Sequence, residues 1–348
     1  MSANRRFLSL AACALAAFAV PALAQQADVA RLAPNRVEVS WTGAKAVDLY
    51  RLDRPGAPLS PEMLVSANDR DGHEAITLPA GSRALFAVRD HASGKVIHIA
   101  ERVIPLEQGS NFRDIGGYPA AEGKTVRWGL IYRSGATPLL SDNDRVTISK
   151  LGLANLVDLR SGEERQLAPT RIDGVRYTAI GYSLGAMMPK DTAALRNGSE
   201  LYRNFPQFFA PQLRLVFELL EKGDGPLQFN CSAGQDRTGF TAAMILSALG
   251  TPHEVIVSDY LKSAELRRPE FEMPHFDPAA FPGNPVAKMF AAHPASAATP
   301  LVEADGTPFL AGAFAEIEVR WGSVDAYLQQ EVGLTPERIA ALRARYTE

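Results

Sequence analysis

A cysteine and an arginine with five residues between them, Cys231 and Arg237, bracket a stretch of small and polar residues, Ser232, Ala233, Gly234, Gln235 and Asp236. The run Pro226 to Phe229 before them is short and apolar enough for a buried strand, and Thr238 to Leu249 after them is rich enough in Ala, Leu and Ile for a helix that Gly250 stops. A loop that closes onto a helix N-terminus presents unpaired N–H groups and the positive end of the helix dipole, which together form an anion site. Ser232, Ala233 and Gly234 are small enough for the backbone to curl around that anion. Arg237 adds a planar fork that matches two oxygens of one phosphate, and such surroundings favour the thiolate of Cys231 as a nucleophile. Thr238 is placed to hydrogen-bond the same sulfur. The ordinary alternative is a buried cysteine acting as a small hydrophobe; the ordered succession of strand, Gly, Asp, Arg, Thr and helix argues against it.

The segment Cys231 to Gly239 resembles the phosphate loop of the protein tyrosine phosphatase superfamily, in the bacterial branch whose loop reads HCxAGKDRTG. Asn111-Phe112-Arg113-Asp114-Ile115-Gly116-Gly117-Tyr118 resembles that branch's NFRDxGGY segment, and Val126 to Gly129 with Arg133-Ser134 its next one. Val157 to Ser161 with Glu164 is similar to its DLRSxxE segment, and Trp321 to Leu328 with Gly333-Leu334 to its closing helices. The resemblance spans about residues 107 to 348. It implies a phosphoric monoester hydrolase, of the tyrosine or dual-specificity type, that works through a cysteinyl-phosphate; the implied substrates are phosphorylated proteins or phosphoinositides, inositol phosphates included. Two positions depart from the pattern. Asn230 stands where the family usually has His, and Gln235 where this branch usually has Lys, so the sulfur has less positive charge around it than in relatives. A non-catalytic phosphate-binding protein is the reading these two departures favour.

Protonating the leaving oxygen calls for a carboxylic acid within hydrogen-bond reach. Asp236, inside the loop, is ranked first, because the family branch gives that position functional weight. Asp158 is second, at the end of the apolar strand Ala154 to Val157 where a parallel sheet opens its active-site edge; its plainer role is an ion pair with Arg160 or Arg113. Gly181-Tyr182-Ser183-Leu184-Gly185 fits the G-x-S-x-G elbow of serine esterases and offers Ser183 as a rival nucleophile, with His253, His275 or His293 as a base. Pro189 falls where the elbow's helix would make its second turn, which counts against it. The six histidines show no HxxxH or HExxH spacing, and no Walker or dinucleotide fingerprint occurs, so no metal and no cofactor are expected.

The elements that must position these residues alternate. Strands are expected near Leu130 to Arg133, Ala154 to Leu159, Val175 to Ile180 and Leu227 to Asn230. Helices are expected over Ser141 to Lys150, Glu200 to Lys222, Pro252 to Glu265, Gly312 to Gln330 and Pro336 to Tyr346. The catalytic region, 107–348, therefore reads as an α/β sheet flanked by helices on both faces. Residues 27–106 read differently, as short strands (Arg36 to Thr42, Ala46 to Leu52, Glu74 to Leu78, Arg83 to Arg89, Lys95 to Val103) with a hairpin turn at Ala92-Ser93-Gly94. That pattern predicts a small all-β sandwich of fibronectin III or immunoglobulin-like architecture. Pro269 to Pro300 looks like a long, partly irregular excursion.

Arg5-Arg6, the apolar run to Val20 and the ending Ala22-Leu23-Ala24 read as a signal peptide, 1–24, cleaved after Ala24 and directing export to the periplasm or medium. Lipoprotein processing at Cys13 ranks lower, and a stable membrane span lower still. Removing the segment takes the net charge from −3 to −5 and leaves Cys231 as the sole thiol. A net acidic chain gives no support to nucleic-acid binding. Oligomeric state is not legible.

Overall fold

The computed structural model describes residues 26–79, 81–184, 198–292 and 300–348. The predicted signal segment with Cys13, the Gly185 and Pro189 of the esterase-like motif, and His293 lie outside the described residues.

Among the described residues the first elements of the sheets are seven strands: β1 (Gln26–Ala33), β2 (Arg36–Thr42), β3 (Val47–Arg51), β4 (Leu64–Asp69), β5 (His73–Thr77), β6 (Leu85–Asp90) and β7 (Val96–Ala100). They form two antiparallel sheets, ordered β1-β2-β5 and β4-β3-β6-β7. Val37, Val39 and Trp41 of one sheet and Val47, Leu49, Phe86 and Val88 of the other share one buried cluster. Alternation of apolar and polar residues along Arg36–Thr42 is what gives that strand a buried face. Gly94, in the left-handed region at φ +71°, makes the expected turn between β6 and β7. Strands β1 and β4 escaped the sequence pattern: neither has a fully buried residue, and in Leu64–Asp69 the apolar Leu64 and Val65 are adjacent rather than alternating.

A third sheet follows, of β8 (Arg113–Asp114), β9 (Ile131–Ser134), β10 (Asn155–Asp158), β11 (Arg176–Thr178) and β12 (Leu227–Asn230). Its order is β11-β10-β12-β9-β8, parallel except for the short antiparallel β8. Every residue of the central β12 is buried, as a parallel strand covered on both faces requires. Ile131 joins the large cluster with Phe229 and the helix Asp236–Leu249, whereas Tyr132, next along β9, joins a separate cluster with Ile148 of helix Asp142–Ser149. Asp158, Asn230 and Ser134 are register neighbours at the carboxyl ends of β10, β12 and β9. In sheets of this kind ligands bind outside that edge.

Three expected helices come apart. Glu200 to Lys222 is three pieces, Gly198–Tyr202, Phe205–Phe208 and Ala210–Lys222, with Pro206 and Pro211 each confined to a helix start because proline lacks the N–H a helix interior needs. Gly322, at φ +79°, ends the helix Leu310–Trp321 before Val324–Tyr327 begins. Pro252 to Glu265 divides into His253–Leu261 and Ser263–Leu266. The excursion after Pro269 holds short turns at Pro269–Phe271 and Pro278–Ala280 and one helix, Ala287–Ala292.

The two parts of the chain meet through buried charge. Arg83, after β5, donates to Asp114 (2.6 Å) and to the Tyr132 hydroxyl (3.0 Å), and Arg102 donates to the carbonyls of Asp114 and Gly116.

Candidate active site

Strand β12 delivers Cys231 to the carboxyl edge of the sheet, 1 % exposed, and the chain turns through Ser232–Gln235 into the helix that starts at Asp236. What shapes the turn is how its carbonyls are tied. Ser232 O accepts from Ala136 N (2.8 Å), Ala233 O from Asn111 Nδ2 (3.1 Å), and Gly234 O from Asn111 Nδ2 and Arg133 Nη2 (both 2.9 Å). Three successive carbonyls are thus held on the outside of the loop. The amides of residues 232–235 donate to no group among the described residues and so are left for a ligand, as in an anion nest. Gly234 must be glycine: its φ is +68°, and a Cβ there would lie 2.6 Å from Gly135 N and from the Ser134 carbonyl group.

The braces are themselves locked. Arg113 and Arg133, both fully buried, share the carboxylate of Asp259 at 3.0 and 2.5 Å, and both reach Ser263 Oγ. Burial opposes ionisation of Asp259, but the two guanidinium groups overcome it and hold the carboxyl far below the usual range. Burial and the neighbouring Arg113 bring Arg133 down to about 10.

Arg237 lies over the loop in a fixed pose. Its Nη1 and Nη2 each donate to one oxygen of Glu164 at 2.7 Å, and Nη1 also donates to the Tyr182 hydroxyl at 2.7 Å. A guanidinium has five N–H donors, so Nε–H and one Nη2–H remain for a ligand. Glu164 in turn accepts from Ser232 Oγ (2.7 Å) and closes a capping box with Ser161 at the start of the helix Gly162–Leu167. Burial works against its charge, yet Arg237 and these hydrogen bonds hold its carboxyl down at about 2. Tyr182, pushed up to about 12 mainly by burial, stays a neutral phenol and donates to Leu159 O.

The two candidate acids sit in unlike places. Asp158 is fully buried and receives Arg160 Nε (2.9 Å), Arg160 Nη2 (2.6 Å) and the Tyr177 hydroxyl (2.9 Å). Despite burial, those bonds lower its carboxyl below the ordinary range. This is the ion pair with Arg160 named as its plainer role. Asp236 is half-buried at the helix start and accepts from the Tyr202 hydroxyl (2.5 Å), which accepts in turn from the Tyr260 hydroxyl (2.7 Å). One face of its carboxyl is therefore free.

Other expected participants distribute as follows. Thr238 is fully buried and its Oγ1 has no hydrogen-bond partner, so the anticipated bond to the Cys231 sulfur is not made in this state. Asn230 donates to Cys231 O (3.3 Å), and Gln235 is buried beside it in the loop. Ser183 donates to Glu163 (2.7 Å), a carboxylate rather than an imidazole, and His253 packs against Phe314; the esterase constellation is not assembled among the described residues. Of the basic residues near the loop, Arg160 is committed to Asp158, Arg165 to Ser161 O, Arg267 to Glu272, and Arg268 to three backbone carbonyls. Glu164 appeared in the sequence only within a family segment, though the Ser-x-x-Glu spacing of its capping box was readable. Tyr182 and Tyr202 gave no signal, since their partners are far away in sequence. No helix among the described residues is long and apolar enough to cross a membrane.

The tyrosine phosphatase family profile matches residues 104–348. A Cupriavidus necator protein named as a tyrosine-protein phosphatase is 32 % identical over 253 residues, 68 % of this chain and 85 % of that one. The triple specificity protein phosphatase PtpB of Mycobacterium tuberculosis is 33 % identical over 187 residues, 44 % of this chain and 66 % of its own length. A tyrosine-protein phosphatase of Nostoc commune is 29 % identical over 153 residues, covering 42 % of this chain and 52 % of that one. The chain belongs to the tyrosine phosphatase family.

Proposed function

We propose that this family member hydrolyses phosphate monoesters of proteins, phosphotyrosine first, as a cysteine-dependent protein-tyrosine or dual-specificity phosphatase. The observation that carries the reading is the pose of Arg237, pinned by Glu164 and Tyr182 with two donors still open at the end of a loop whose amides are unpaired. Cys231 attacks phosphorus as the S–P bond forms and the P–O bond to the leaving group breaks. Arg237 and the loop amides hold the phosphoryl oxygens throughout.

Asp236 gives its proton to the departing oxygen. Water then attacks phosphorus, Asp236 takes a proton from it, and the S–P bond breaks to return the Cys231 thiolate. The freedom of Asp236's second face favours it over Asp158, whose oxygens are saturated by Arg160, Tyr177 and the Arg160 amide. The unpartnered Thr238 hydroxyl is available to stabilise the sulfur when charge appears on it.

Substrate scope, module boundaries and export extend this reading. Phosphoinositides are the alternative substrate class, and a loop with Gln235 in place of a lysine offers their polyanionic headgroup less charge. The cluster shared by the two N-terminal sheets supports an immunoglobulin-like or fibronectin III-like sandwich over 27–106 beside a catalytic domain over 107–348. The basic start, apolar run and Ala22-Leu23-Ala24 support export.

p-Nitrophenyl phosphate, a phosphotyrosine peptide, a phosphoserine peptide and phosphoinositide vesicles, each offered to wild type and Cys231→Ser, test the function. Hydrolysis is expected from wild type alone, fastest on the phosphotyrosine peptide. Equal hydrolysis by the two proteins would refute the catalytic reading, and preference for the vesicles would move it to the lipid class.

A further inference from the structure

An uncharged residue stands at both positions, 230 and 235, where the family pattern has a basic one, yet another part of the chain brings a cation to the residues that brace the loop. After the helix Ser263–Leu266 the backbone runs along the outside of the loop's braces. Leu266 O accepts from Asn111 N (3.0 Å), and the Asn111 side chain is the group that ties Ala233 O and Gly234 O. One residue on, Arg268 N donates to Ser110 Oγ (2.9 Å), while Ser110 O accepts from Gly135 N (2.9 Å). Arg267 lies between these two anchor points.

Its side chain is only 16 % exposed and is gripped by Glu272, Nε at 2.9 and 3.0 Å from the two oxygens and Nη2 at 2.8 Å. Glu272 is itself fixed by Ser110 Oγ (2.8 Å). That grip leaves Nη1 outside it. Burial lowers the affinity of Arg267 for its proton, but Glu272 first, then Asp236 and Cys231, more than restore it.

We propose that Arg267 is the second cation of the phosphate site, supplying the positive potential that Asn230 and Gln235 do not, and that Glu272 holds it at partial strength. The inference rests on the phosphatase reading of the Cys231 loop. Arg267 acts on the affinity of the cup for a phosphate dianion through its field, while Arg237 makes the direct contacts. Two opposite charges side by side make the prediction one of sign. Neutralising Arg267 leaves Glu272 as a bare negative charge near the anion, whereas neutralising Glu272 unmasks Arg267.

Inhibition constants for orthovanadate and KM for p-nitrophenyl phosphate, measured for wild type, Arg267→Gln, Arg267→Lys and Glu272→Gln at low and high salt, read that sign. Arg267→Gln should weaken vanadate about tenfold at low salt, the size expected of one unit charge several ångströms away in partly screened surroundings. Arg267→Lys should stay within about threefold of wild type, and Glu272→Gln should bind vanadate more tightly than wild type, with both charge effects shrinking at high salt. A merely structural ion pair would make Arg267→Gln and Glu272→Gln weaken binding together, and that result, or no change in either, overturns the inference while leaving the phosphatase reading intact. Should Arg267→Gln fail to fold, the direction of Glu272→Gln decides alone. A wild type that neither binds vanadate nor hydrolyses the ester removes both.

Discussion

Replacing Glu164 by Gln keeps the shape of the side chain and removes one charge, which isolates what that charge does for Arg237. The carboxyl of Glu164 is held at about 2 against an ordinary 4.5, and the group is 1 % exposed. A depression of that size corresponds to about 3 kcal/mol in favour of the ionised form at neutral pH. Gln mimics the neutral form, and removing one partner of a buried pair costs about 3–5 kcal/mol in other proteins, so the two routes agree. For a domain of this length that is a fall in Tm of roughly 6–12 °C. The variant leaves a buried guanidinium without its counter-charge, and a bound phosphate dianion can supply one. Thermal and urea unfolding with and without inorganic phosphate should therefore show the ligand stabilising Glu164→Gln more than wild type, even as kcat falls through a looser Arg237. Equal stability of the two proteins, or a smaller phosphate-induced shift in the variant, would refute the idea that Glu164 and the substrate hold the same arginine.

The pH dependence follows with its sign. Glu164 has a depressed carboxyl in the fold, so its contribution is whole above about pH 4.5 and is lost as pH falls through about 2; wild type should lose more urea stability than Glu164→Gln across that window. Asp236→Asn should slow phenyl phosphate far more than p-nitrophenyl phosphate, because a good leaving group needs little protonation, whereas Asp158→Asn should leave that ratio unchanged and lower Tm through the unpaired Arg160. An Asp158→Asn variant with the leaving-group signature would reverse the assignment. Gly234→Ala should abolish turnover and weaken vanadate binding, since a side chain at φ +68° would strike the backbone of Ser134 and Gly135; wild-type kinetics in that variant would show that the loop is not packed against β9.

The parts of the site that are contiguous in sequence could be read from it, and the parts assembled across the fold could not. Cys231 through Arg237 form one loop between one strand and one helix, and local rules of periodicity and capping place all three elements within two residues of their observed bounds. Tyr182, Glu164 and Arg237 converge from separate segments, and no spacing announces a hydrogen bond between residues 55 apart. The helix expected over Glu200 to Lys222 is divided for a local reason, since Pro206 and Pro211 each sit where a new helix begins. Its breaks matter to the site. They place Tyr202 on a short separate helix from which its hydroxyl reaches Asp236.

Buried charge also explains why a single arginine dominates the cup. Arg113, Arg133 and Arg160 are each fully buried close to the loop or to its neighbouring strand, and each meets a carboxylate: Asp259 for the first two, Asp158 for the third. Arg83 from the N-terminal sheets meets Asp114 in the same way, directly after Arg113 in the chain. Desolvated ions of this kind are tolerable only when paired; Asp158 and Asp114 balance Arg160 and Arg83 one to one, whereas Arg113 and Arg133 share the single carboxylate of Asp259 and keep a net positive charge at the loop's braces. Their work is positional, tying loop carbonyls and strand ends into one arrangement. Arg237 differs because Glu164 and Tyr182 together leave two of its five donors open. At the anion site Arg237 keeps donors open beside the loop that carries Cys231, and a phosphate completes it.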